Sequence, residues 1–553
     1  MKKFYTSFLL ILSIHFLQAQ QWGDYTFYAT SGGTTAVLVD TNGNTTKTWT
    51  FVSTAKTGYS SYLLPGGTVL RTVSRSGNSF SGGPICGQVQ KVDWNGNLVW
   101  DYVYSTTDYC THHDICPMPN GNVLLIAYER KTAAEATTAG STTSIEMWPD
   151  KIVEVKPTGA TTGTVVWEWH VWDHLVQDKN ASGANYQSSI SAHPELLNIN
   201  YKTSKDWMHM NGIDYNPVLD QIVVSSHNLN EWYVIDHSTT TAEAASHSGG
   251  NAGHGGDFLY RWGNPAAYSG TGTAILKVTH DAHWIPEGVP NAGRLVGFNN
   301  QGVSTSQSAI DQIMPTMNGY NYTFGTPATY LQRHACNGYS SNMGNSQQLP
   351  NGNMLVCIAT QGNIYEIDPN GTSIWNKQVT GSVPQAFRHD TCYVKHTAPS
   401  IPTVTQVGND LQSSTASTYQ WYFNGVLISG ATNQTYTPTQ NGIYVVRSTD
   451  QYGCVYSYSV GYKYTTATSI QGEDMNPYLN LFPNPSTGIV NLQFPFFNAD
   501  DFTVIVKDLS GKIIMKEINI TAIDLSAFEN GLYFISVTSS NGKAVNRKIS
   551  IIK

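Results

Sequence analysis

Three histidines recur at related positions of an imperfect repeat, and imidazole is a group that attacks, donates and accepts protons near neutral pH. His113 and His280 each stand six residues before the proline of a turn. His209 stands two residues further back from its own turn, a shift that strand alternation keeps on the same face. Such a set is suited either to a metal site or to a nucleophile with a proton donor.

The metal interpretation has little support from the spacing of the histidines. The close pairs, His170 with His174 and His280 with His283, lack a recognisable set of carboxylate and histidine ligands. We therefore predict neither a metal nor a cofactor. The alternative for any single histidine is a structural hydrogen bond in a turn, and four are interpreted in this way: His170, His174, His237 and His254.

Two kinds of hairpin make up the repeat that carries the histidines. One is a glycine turn between two strands, and the other is an Asp-x-Asn-Gly turn that leads into a strand ending in Trp. Two hairpins form a four-stranded sheet, and such sheets repeated around an axis form a propeller with a central channel. The sequence predicts about six blades over residues 22–396. The innermost strands line the channel, so the three histidines are expected to converge on one pocket. The glycine turns lie at 64–70, 118–124 and 349–355, and the Asn-Gly turns at 92–100 and 367–375.

The rest of the chain divides into three further segments. Residues 1–20 have two lysines, an apolar run and a small-residue cleavage site, as in a signal peptide. Residues 397–464 contain Trp421 on one alternating strand and Tyr444 on a later one, which predicts a small Ig-like sandwich acting as a spacer. Residues 478–553 predict a terminal β-sandwich, because short strands alternate with Asn-Gly, Ser-Gly and Asn-Pro turns.

Composition restricts the partners of this all-β chain. Charged residues make up 12% of its 553 residues and the net charge is −8, which argues against nucleic acid and anionic membranes. No apolar stretch after the signal peptide is long enough for a transmembrane segment. Seven cysteines leave at least one thiol without an intramolecular partner, and Cys110 with Cys116 is one possible small disulfide loop.

Motifs throughout the large domain give a more specific interpretation. The chain resembles the PAPS-independent arylsulfate sulfotransferases over nearly all of residues 30–395, with the motifs in the family's order. This resemblance implies a six-bladed propeller that moves a sulfuryl group from an aryl sulfate donor to a phenolic acceptor. It also implies a transiently sulfated histidine and ping-pong kinetics. The motifs lie at 167–178, 206–211, 236–240, 255–265, 280–284, 298–300 and 349–353.

The resemblance also implies roles for individual residues. His209 and His280 match active-site histidines of the family, and His334 is the candidate nucleophile. The family's arginine after Phe298-Asn299-Asn300 is missing here, so another arginine is expected to supply its charge. The predicted substrate-binding residues, including the two candidate arginines, are His113, Asn211, Asn300, Arg333 and Arg388.

The C-terminal segment resembles the type A sorting domain of the type IX secretion system. The resemblance rests on Leu479–Gly488 together with the turns at 508–512 and 530–533 and the final strand at 548–553. It implies recognition by that machinery and export through the periplasm and outer membrane of a Gram-negative bacterium. The product is then secreted or held at the cell surface.

Two other functions compete with the sulfotransferase. The first is a non-catalytic surface propeller that binds glycans or proteins and retains the histidines as a relic. The second is a quinone- or metal-dependent propeller oxidoreductase, for which the sequence offers no convincing ligand set. Turnover of a chromogenic aryl sulfate separates the enzyme from the binding protein.

Overall fold

The computed structural model describes residues 20–465, 479–493, 502–539 and 544–553. Its contacts divide the chain into two compact units, Met1–Tyr464 and Thr465–Lys553. The predicted signal peptide lies almost wholly outside the described residues, and the domain boundaries at 22–396, 397–464 and 478–553 remain predictions. In the described chain the regular structure is almost all β, with mainly antiparallel strands and a few short helices, which confirms the predicted all-β class.

The first unit contains six four-stranded sheets, and the predicted six-bladed propeller is confirmed. The innermost strands of neighbouring blades pack against one another around the axis, and the strands of each blade are given from the innermost outward. Blade 1 consists of β4 Thr57–Leu63, β5 Val69–Val73, β6 Gln88–Val92 and β7 Leu98–Val103. Blade 2 consists of β8 Tyr109–Pro117, β9 Val123–Glu129, β10 Asp150–Gly159 and β11 Thr162–His170. Blade 3 consists of β14 Met210–Asn216, β15 Gln221–Ser226, β16 Glu231–Asp236 and β17 Tyr260–Trp262.

The remaining blades complete the ring. Blade 4 consists of β18 Thr279–Trp284, β19 Leu295–Ser304, β20 Gln307–Ile313 and β23 Gln332–Ala335. Blade 5 consists of β24 Asn345–Gln348, β25 Met354–Ile358, β26 Asn363–Ile367 and β27 Ser373–Gln378. Blade 6 consists of β28 Ala386–His389, β1 Tyr25–Ala29, β2 Thr35–Asp40 and β3 Thr45–Thr50. Because β28 pairs with β1, the two ends of the propeller sequence close one blade together.

Short elements lie in the connections between the long strands. Two of these connections contain a pair of two-residue strands: β12 Leu175–Val176 runs parallel to β13 Leu197–Asn198, and β21 Met317–Asn318 runs antiparallel to β22 Asn321–Tyr322. The α-helices are α1 Ala133–Thr138, α2 Thr241–Ala244 and α3 Thr391–Lys395. The 3-10 turns are Val171–Asp173, Ile190–Ala192, Pro265–Tyr268 and Ala359–Gln361.

The tryptophans that end the outer strands join neighbouring blades. The Nε1 of Trp49 in blade 6 donates to the Asp93 carbonyl of blade 1 at 3.0 Å. Trp100 of blade 1 donates to the Thr162 carbonyl of blade 2 at 3.1 Å. All these rings are buried, so each blade boundary gains apolar area together with a satisfied indole N–H. This explains why the repeat ends in Trp.

Residues 397–464 form two facing sheets around Trp421, which is fully buried. One sheet contains β29 Val404–Val407, β30 Asp410–Ser413 and β33 Thr435–Tyr436. The other contains β31 Gln420–Phe423, β32 Val426–Leu427, β34 Gly442–Thr449, β35 Tyr456–Tyr458 and β36 Tyr462–Tyr464. This module contacts the propeller directly, since Arg447 forms an ion pair with Glu287 at 3.1 Å.

A disulfide also joins the module to the propeller. Cys392 of α3 is bonded to Cys454, and the described chain leaves the other five cysteines as buried free thiols. The possible Cys110–Cys116 loop is therefore wrong. Both residues lie on β8, and they pair with Tyr128 and Leu124 of β9, which are four strand residues or roughly 13 Å apart, beyond the reach of a disulfide.

Removing this disulfide is expected to destabilise the first unit. The bond closes a loop with a sequence separation of 62, for which the loop-closure estimate is about 4 kcal/mol. We expect the Cys392→Ser, Cys454→Ser double variant to unfold at lower urea concentration in a tryptophan fluorescence titration. Reducing agent should lower the midpoint of the wild type and leave that of the double variant unchanged. Equal urea midpoints for the wild type and the double variant in the absence of reducing agent would contradict the prediction.

The second unit has a core of its own, formed by two antiparallel sheets. One sheet contains β37 Asn480–Phe482, β38 Ile489–Gln493 and β41 Ala522–Asp524. The other contains β39 Phe502–Lys507, β40 Ile513–Ile518, β42 Gly531–Ser539 and β43 Ala544–Ile551. Alternate residues of β39, such as Val504 and Val506, are buried, as expected for a small sandwich.

Candidate active site

Imidazole rings from three neighbouring blades meet at one end of the channel. The ring of His113 in blade 2 lies 4.4 Å from that of His209, which immediately precedes β14. The His209 ring lies 4.8 Å from that of His227, and the His227 ring lies 5.6 Å from that of His280 in blade 4. Together with His112, whose ring is 5.1 Å from that of His113, these residues form what we call the histidine cluster.

Irregular backbone in the inner strands directs these side chains toward one another. The pairing register breaks between Thr111 and Ile115 in β8, and between His280 and His283 in β18. His113 has a φ of +49° and His209 a φ of +55°, in the left-handed region that costs a non-glycine residue about 1–3 kcal/mol. A bulge that changes the direction of a side chain is a common feature of functional sites.

A carboxylate holds the ring of His209. Its Nδ1 lies 2.6 Å from Oδ2 of Asp206, and Oδ1 of the same carboxylate accepts from the Tyr128 hydroxyl at 3.0 Å. Because an ionised carboxylate only accepts, Nδ1 of His209 carries the proton and Nε2 carries the lone pair. Within the described residues Nε2 of His209 has no hydrogen-bond partner. This is the arrangement of an imidazole prepared for nucleophilic attack.

A second chain of hydrogen bonds ends at His113. Nε2 of His112 lies 2.8 Å from Oδ1 of Asp150, and Nδ1 of His112 lies 2.8 Å from Nδ1 of His113. Oδ2 of Asp150 accepts from the backbone N–H of Met210 at 3.1 Å. Burial raises the pKa of Asp150 well above its usual range. The chain therefore links a buried carboxyl group to Nε2 of His113, for which no protein partner is found in the described part of the chain.

Both ring nitrogens of His280 are already occupied. Nε2 accepts from the backbone N–H of Met343 at 3.0 Å, and Nδ1 lies 2.7 Å from Oδ1 of Asn300. The amide of Asn300 donates in turn to the carbonyls of Ser340 and Met343, each at 2.8 Å. His280 is thus fixed as the neutral tautomer with its proton on Nδ1, and it forms a wall of the cluster.

Burial favours the neutral form of four histidines of the cluster. Burial lowers the pKa values of His112, His113 and His280 well below the usual range, and neighbouring histidines add to the effect. Burial likewise lowers the pKa of His227, with smaller contributions from His209 and from Lys202. Neutral imidazoles retain a lone pair for nucleophilic attack, so an anionic substrate here meets N–H dipoles more than full positive charges.

The connection between β5 and β6, residues 74–87, covers the histidine cluster, and we call it the cover loop. Its Phe80 stacks on Tyr128 at 5.7 Å, and the Pro84 carbonyl accepts from the backbone N–H of His113 at 3.1 Å. A Cβ added at Gly83 would lie 2.6 Å from His113 and 2.7 Å from His209. Glycine is required there because the backbone approaches both rings so closely.

The structure does not bring every predicted site residue to the cluster. His334 lies on β23, the outermost strand of blade 4, where its Nε2 is 3.1 Å from the Tyr365 hydroxyl. Arg333 on the same strand makes a bidentate ion pair with Asp311. Because the fourth strand of a blade is farthest from the axis, neither residue meets the other histidines.

The two other predicted ligands also have structural partners. Arg388 lies on inner strand β28, but its Nη2 donates to Glu366 at 2.6 Å and its guanidinium lies 4.4 Å from the centre of the Trp375 ring. Asn211 donates to the Thr279 carbonyl at 2.8 Å and accepts from Ser225. Arg333 and Arg388 are each paired with a carboxylate, so neither supplies the positive charge that the family's missing arginine would place beside the histidines.

The sequence reasoning missed four members of the site. His112, Asp150, Asp206 and His227 were assigned no role. Only Asp206 carried a local signal, because it opens the Asp-Trp-Met-His motif that was matched to the family. His112 is adjacent to His113 and would point to the opposite face of a regular strand, so only the bulge in β8 explains why both face the cluster.

A separate cavity of about 790 Å³ is lined by residues that follow the histidines along the inner strands and by residues of the module. Its walls include Asp114, Asp281 and Glu287, and Tyr422 of the module contributes to its boundary. Burial raises the pKa of Asp114 to about 7. A sulfate ester is a permanent anion, so a cavity lined with carboxyl groups is a poor place for it, and the histidine cluster is the better candidate.

A propeller with a histidine cluster on its axis is typical of proteins whose site lies in the central channel. The chain belongs to the arylsulfotransferase (ASST) family, whose model matches residues 17–393. A secretion system C-terminal sorting domain matches residues 480–553. Both predicted resemblances are confirmed, and the tail indicates export to the cell surface or secretion.

Other comparisons add little on function. No curated protein matches the chain. A protein of unknown function from Bacteroides caccae is 11% identical and covers 66% of this chain and 98% of its own length, with a TM-score of 0.37. A putative 6-phosphogluconolactonase from Bacteroides fragilis is 10% identical over 80% of this chain and 95% of its own, with a TM-score of 0.32. We draw no conclusion from likenesses of this size. Among the described residues no helix has the length and apolar character needed to cross a membrane.

Proposed function

We propose that the protein transfers a sulfuryl group from an aryl sulfate to a phenol, with His209 as the nucleophile. The observation that carries the proposal is the pairing of Nδ1 of His209 with Asp206 at 2.6 Å, beside a second imidazole 4.4 Å away. Family membership supports the reaction class. The position of His334 on an outer strand is the reason for assigning the nucleophile to His209 instead.

In the first half-reaction, Nε2 of His209 attacks the sulfur of the donor. The bond between sulfur and the aryl oxygen breaks, and its electron pair leaves on the phenolic oxygen. Nε2 of His113 gives that oxygen a proton, and the hydrogen-bond chain replaces it: His112 passes a proton to Nδ1 of His113, and Asp150 passes one to Nε2 of His112. Asp150 becomes a carboxylate, and Asp206 balances the positive charge of the sulfated imidazolium.

In the second half-reaction, an acceptor phenol takes the place of the first product. Its oxygen attacks the sulfur while its proton passes to Nε2 of His113, and the chain returns a proton to Asp150. The bond between sulfur and Nε2 breaks, so His209 regains its lone pair. Because the cover loop lies over both rings, it must move to admit donor and acceptor.

Lys202 is our candidate for the cation that attracts the anionic donor. Its charge is one of the contributions that lower the pKa of His227, and its side chain is exposed. We expect Lys202→Gln to raise KM for the aryl sulfate by about three- to tenfold, with kcat changed less than about twofold, and the effect to fade at high salt. Lys205→Gln is the matched control, because Lys205 lies 3.4 Å from Glu146. An equal rise in KM for both variants would refute the assignment.

The function is tested by transfer from p-nitrophenyl sulfate to phenol with the purified mature protein. We expect release of nitrophenol that depends on phenol, and formation of phenyl sulfate in equal amount. Incubation with donor alone should leave one SO₃ group on the peptide that contains His209, measured by intact and peptide mass spectrometry. No turnover of several aryl donors by the folded protein would favour the surface-binding propeller.

A further inference from the structure

A second group of metal-ligating side chains lies outside the histidine cluster, in the segments that follow β11 of blade 2 and β16 of blade 3. It consists of His174, which follows the 3-10 turn after β11, His247 in the glycine-rich loop after α2, and Asp257 at the end of that loop. One atom from each residue can be chosen so that all three lie within 4.8 Å of one another. His174 and Asp257 are buried, whereas the side chain of His247 is 63% exposed.

The hydrogen bonds of His174 fix the direction of its lone pair. Nε2 lies 2.8 Å from the backbone carbonyl of Ala244, which only accepts, so Nε2 carries a proton. In neutral His174 the lone pair is then on Nδ1, which faces Oδ1 of Asp257 at 2.8 Å. Two lone pairs that face each other in this way require a positive species between them, either a second proton or a metal ion.

His247 strengthens the second possibility. Its Nδ1 lies 2.7 Å from the same Oδ1 of Asp257, so one carboxylate oxygen faces two imidazole nitrogens. A histidine that binds a metal through one ring nitrogen usually donates a hydrogen bond from the other nitrogen. In His174 the bond from Nε2 to the Ala244 carbonyl is such a bond, and it leaves Nδ1 for the metal. Tetrahedral zinc needs donor atoms roughly 3.3 Å apart, so each nitrogen must draw back from Oδ1 of Asp257 by about half an ångström. The three donor atoms already lie within 4.8 Å of one another, and the exposed side chain of His247 is able to rotate.

The backbone around the three residues is shaped for close approach. A Cβ on Gly256 would lie 1.9 Å from the Ala244 carbonyl and 2.6 Å from Nε2 of His174. The Gly256 carbonyl accepts from the indole of Trp169 at 2.7 Å, and the Trp169 ring stacks parallel to that of His174. The packing therefore holds His174 and Asp257 in place before any ion binds, which reduces the cost of ordering the site.

We propose that His174, His247 and Asp257 bind one zinc ion, with water as the fourth ligand, and that this ion closes the glycine-rich loop 246–256. Two histidines and a carboxylate form a nitrogen and oxygen set that suits zinc. The ion takes the position between Nδ1 of His174 and Oδ1 of Asp257, where the two lone pairs face each other. The site shares no residue with the histidine cluster, and the proposal does not depend on sulfuryl transfer.

Zinc titration of the chelator-treated full-length protein tests the proposal. We expect wild type to bind zinc by isothermal titration calorimetry and to unfold at higher temperature with zinc than without it. His247→Ala removes an exposed ligand with little effect on packing, and we expect it to weaken the affinity by about tenfold or more and to abolish the thermal shift. His193→Ala is the control, because His193 also pairs with a carboxylate, Glu195, at 2.9 Å, and it should bind as wild type does.

Cobalt identifies the ligands directly, since tetrahedral Co²⁺ gives strong visible absorption. We expect that band in wild type and in His193→Ala, and its loss in His247→Ala. Zinc affinity and a cobalt band that are the same in wild type and His247→Ala would overturn the proposal, because the ion would then be bound elsewhere, for example in the histidine cluster. Absence of binding to wild type would overturn it as well. Neither result bears on sulfuryl transfer, which is measured separately.

Discussion

Replacing His209 by alanine is expected to lower kcat/KM for p-nitrophenyl sulfate by about a thousandfold or more, because the variant lacks the atom that takes the sulfuryl group. His209 is only partly buried and its ring mainly contacts other imidazoles and Asp206, so we expect the variant to fold. The variant should also show no SO₃-labelled peptide and no burst of nitrophenol when acceptor is absent. Stopped-flow absorbance and peptide mass spectrometry measure both.

Two variants separate a nucleophile from a merely structural histidine. Asp206→Asn keeps His209 but no longer fixes its tautomer, so we expect a slower burst of undiminished amplitude. His334→Ala alters the histidine on the outermost strand of blade 4, and we expect activity close to wild type. A labelled peptide that contains His334, or full activity in His209→Ala, would reverse our assignment of the nucleophile.

Replacing Asp150 by asparagine is expected to cost about 10²–10⁴ in kcat/KM for donors with a poorly acidic phenol. The amide preserves the acceptor for the Met210 N–H but cannot pass a proton to His112. Donors with an acidic phenol, such as p-nitrophenyl sulfate, need less proton transfer, so the variant should lose much less kcat/KM with them. The slope of log(kcat/KM) against phenol acidity, measured over a series of aryl sulfates, should therefore become steeper.

The pH profile gives a second readout of the same chain. Because burial raises the pKa of Asp150, its carboxyl group keeps its proton to higher pH than an ordinary aspartic acid, and the rate with poor leaving groups should fall as pH rises through that pKa. This fall in rate with rising pH should be absent in Asp150→Asn. Asp236→Asn is the control, because Asp236 is also a buried carboxyl group of raised pKa but lies on β16, away from the histidine cluster. Unchanged slopes and profiles in Asp150→Asn would exclude the proton chain.

Much of the fold was predictable because it rests on local signals. The Asn-Gly turns and the tryptophans of the repeat are visible in the sequence, and they build each hairpin and join one blade to the next. The sorting domain and the propeller family were recognised from motifs that stand in a fixed order along the chain. The Cys392–Cys454 bond was not predictable, because nothing local relates two cysteines that lie in different domains.

The amino-acid pattern specifies a propeller and places His113, His209 and His280 at repeat positions facing the axis. Their hydrogen-bond partners and directions depend on the folded chain, because left-handed residues in bulged strands override the strand alternation on which sequence reasoning depends. The same is true of His174, His247 and Asp257. They are separated by 73 and 10 positions in the chain, and only the turns of the glycine-rich loop bring them to one point.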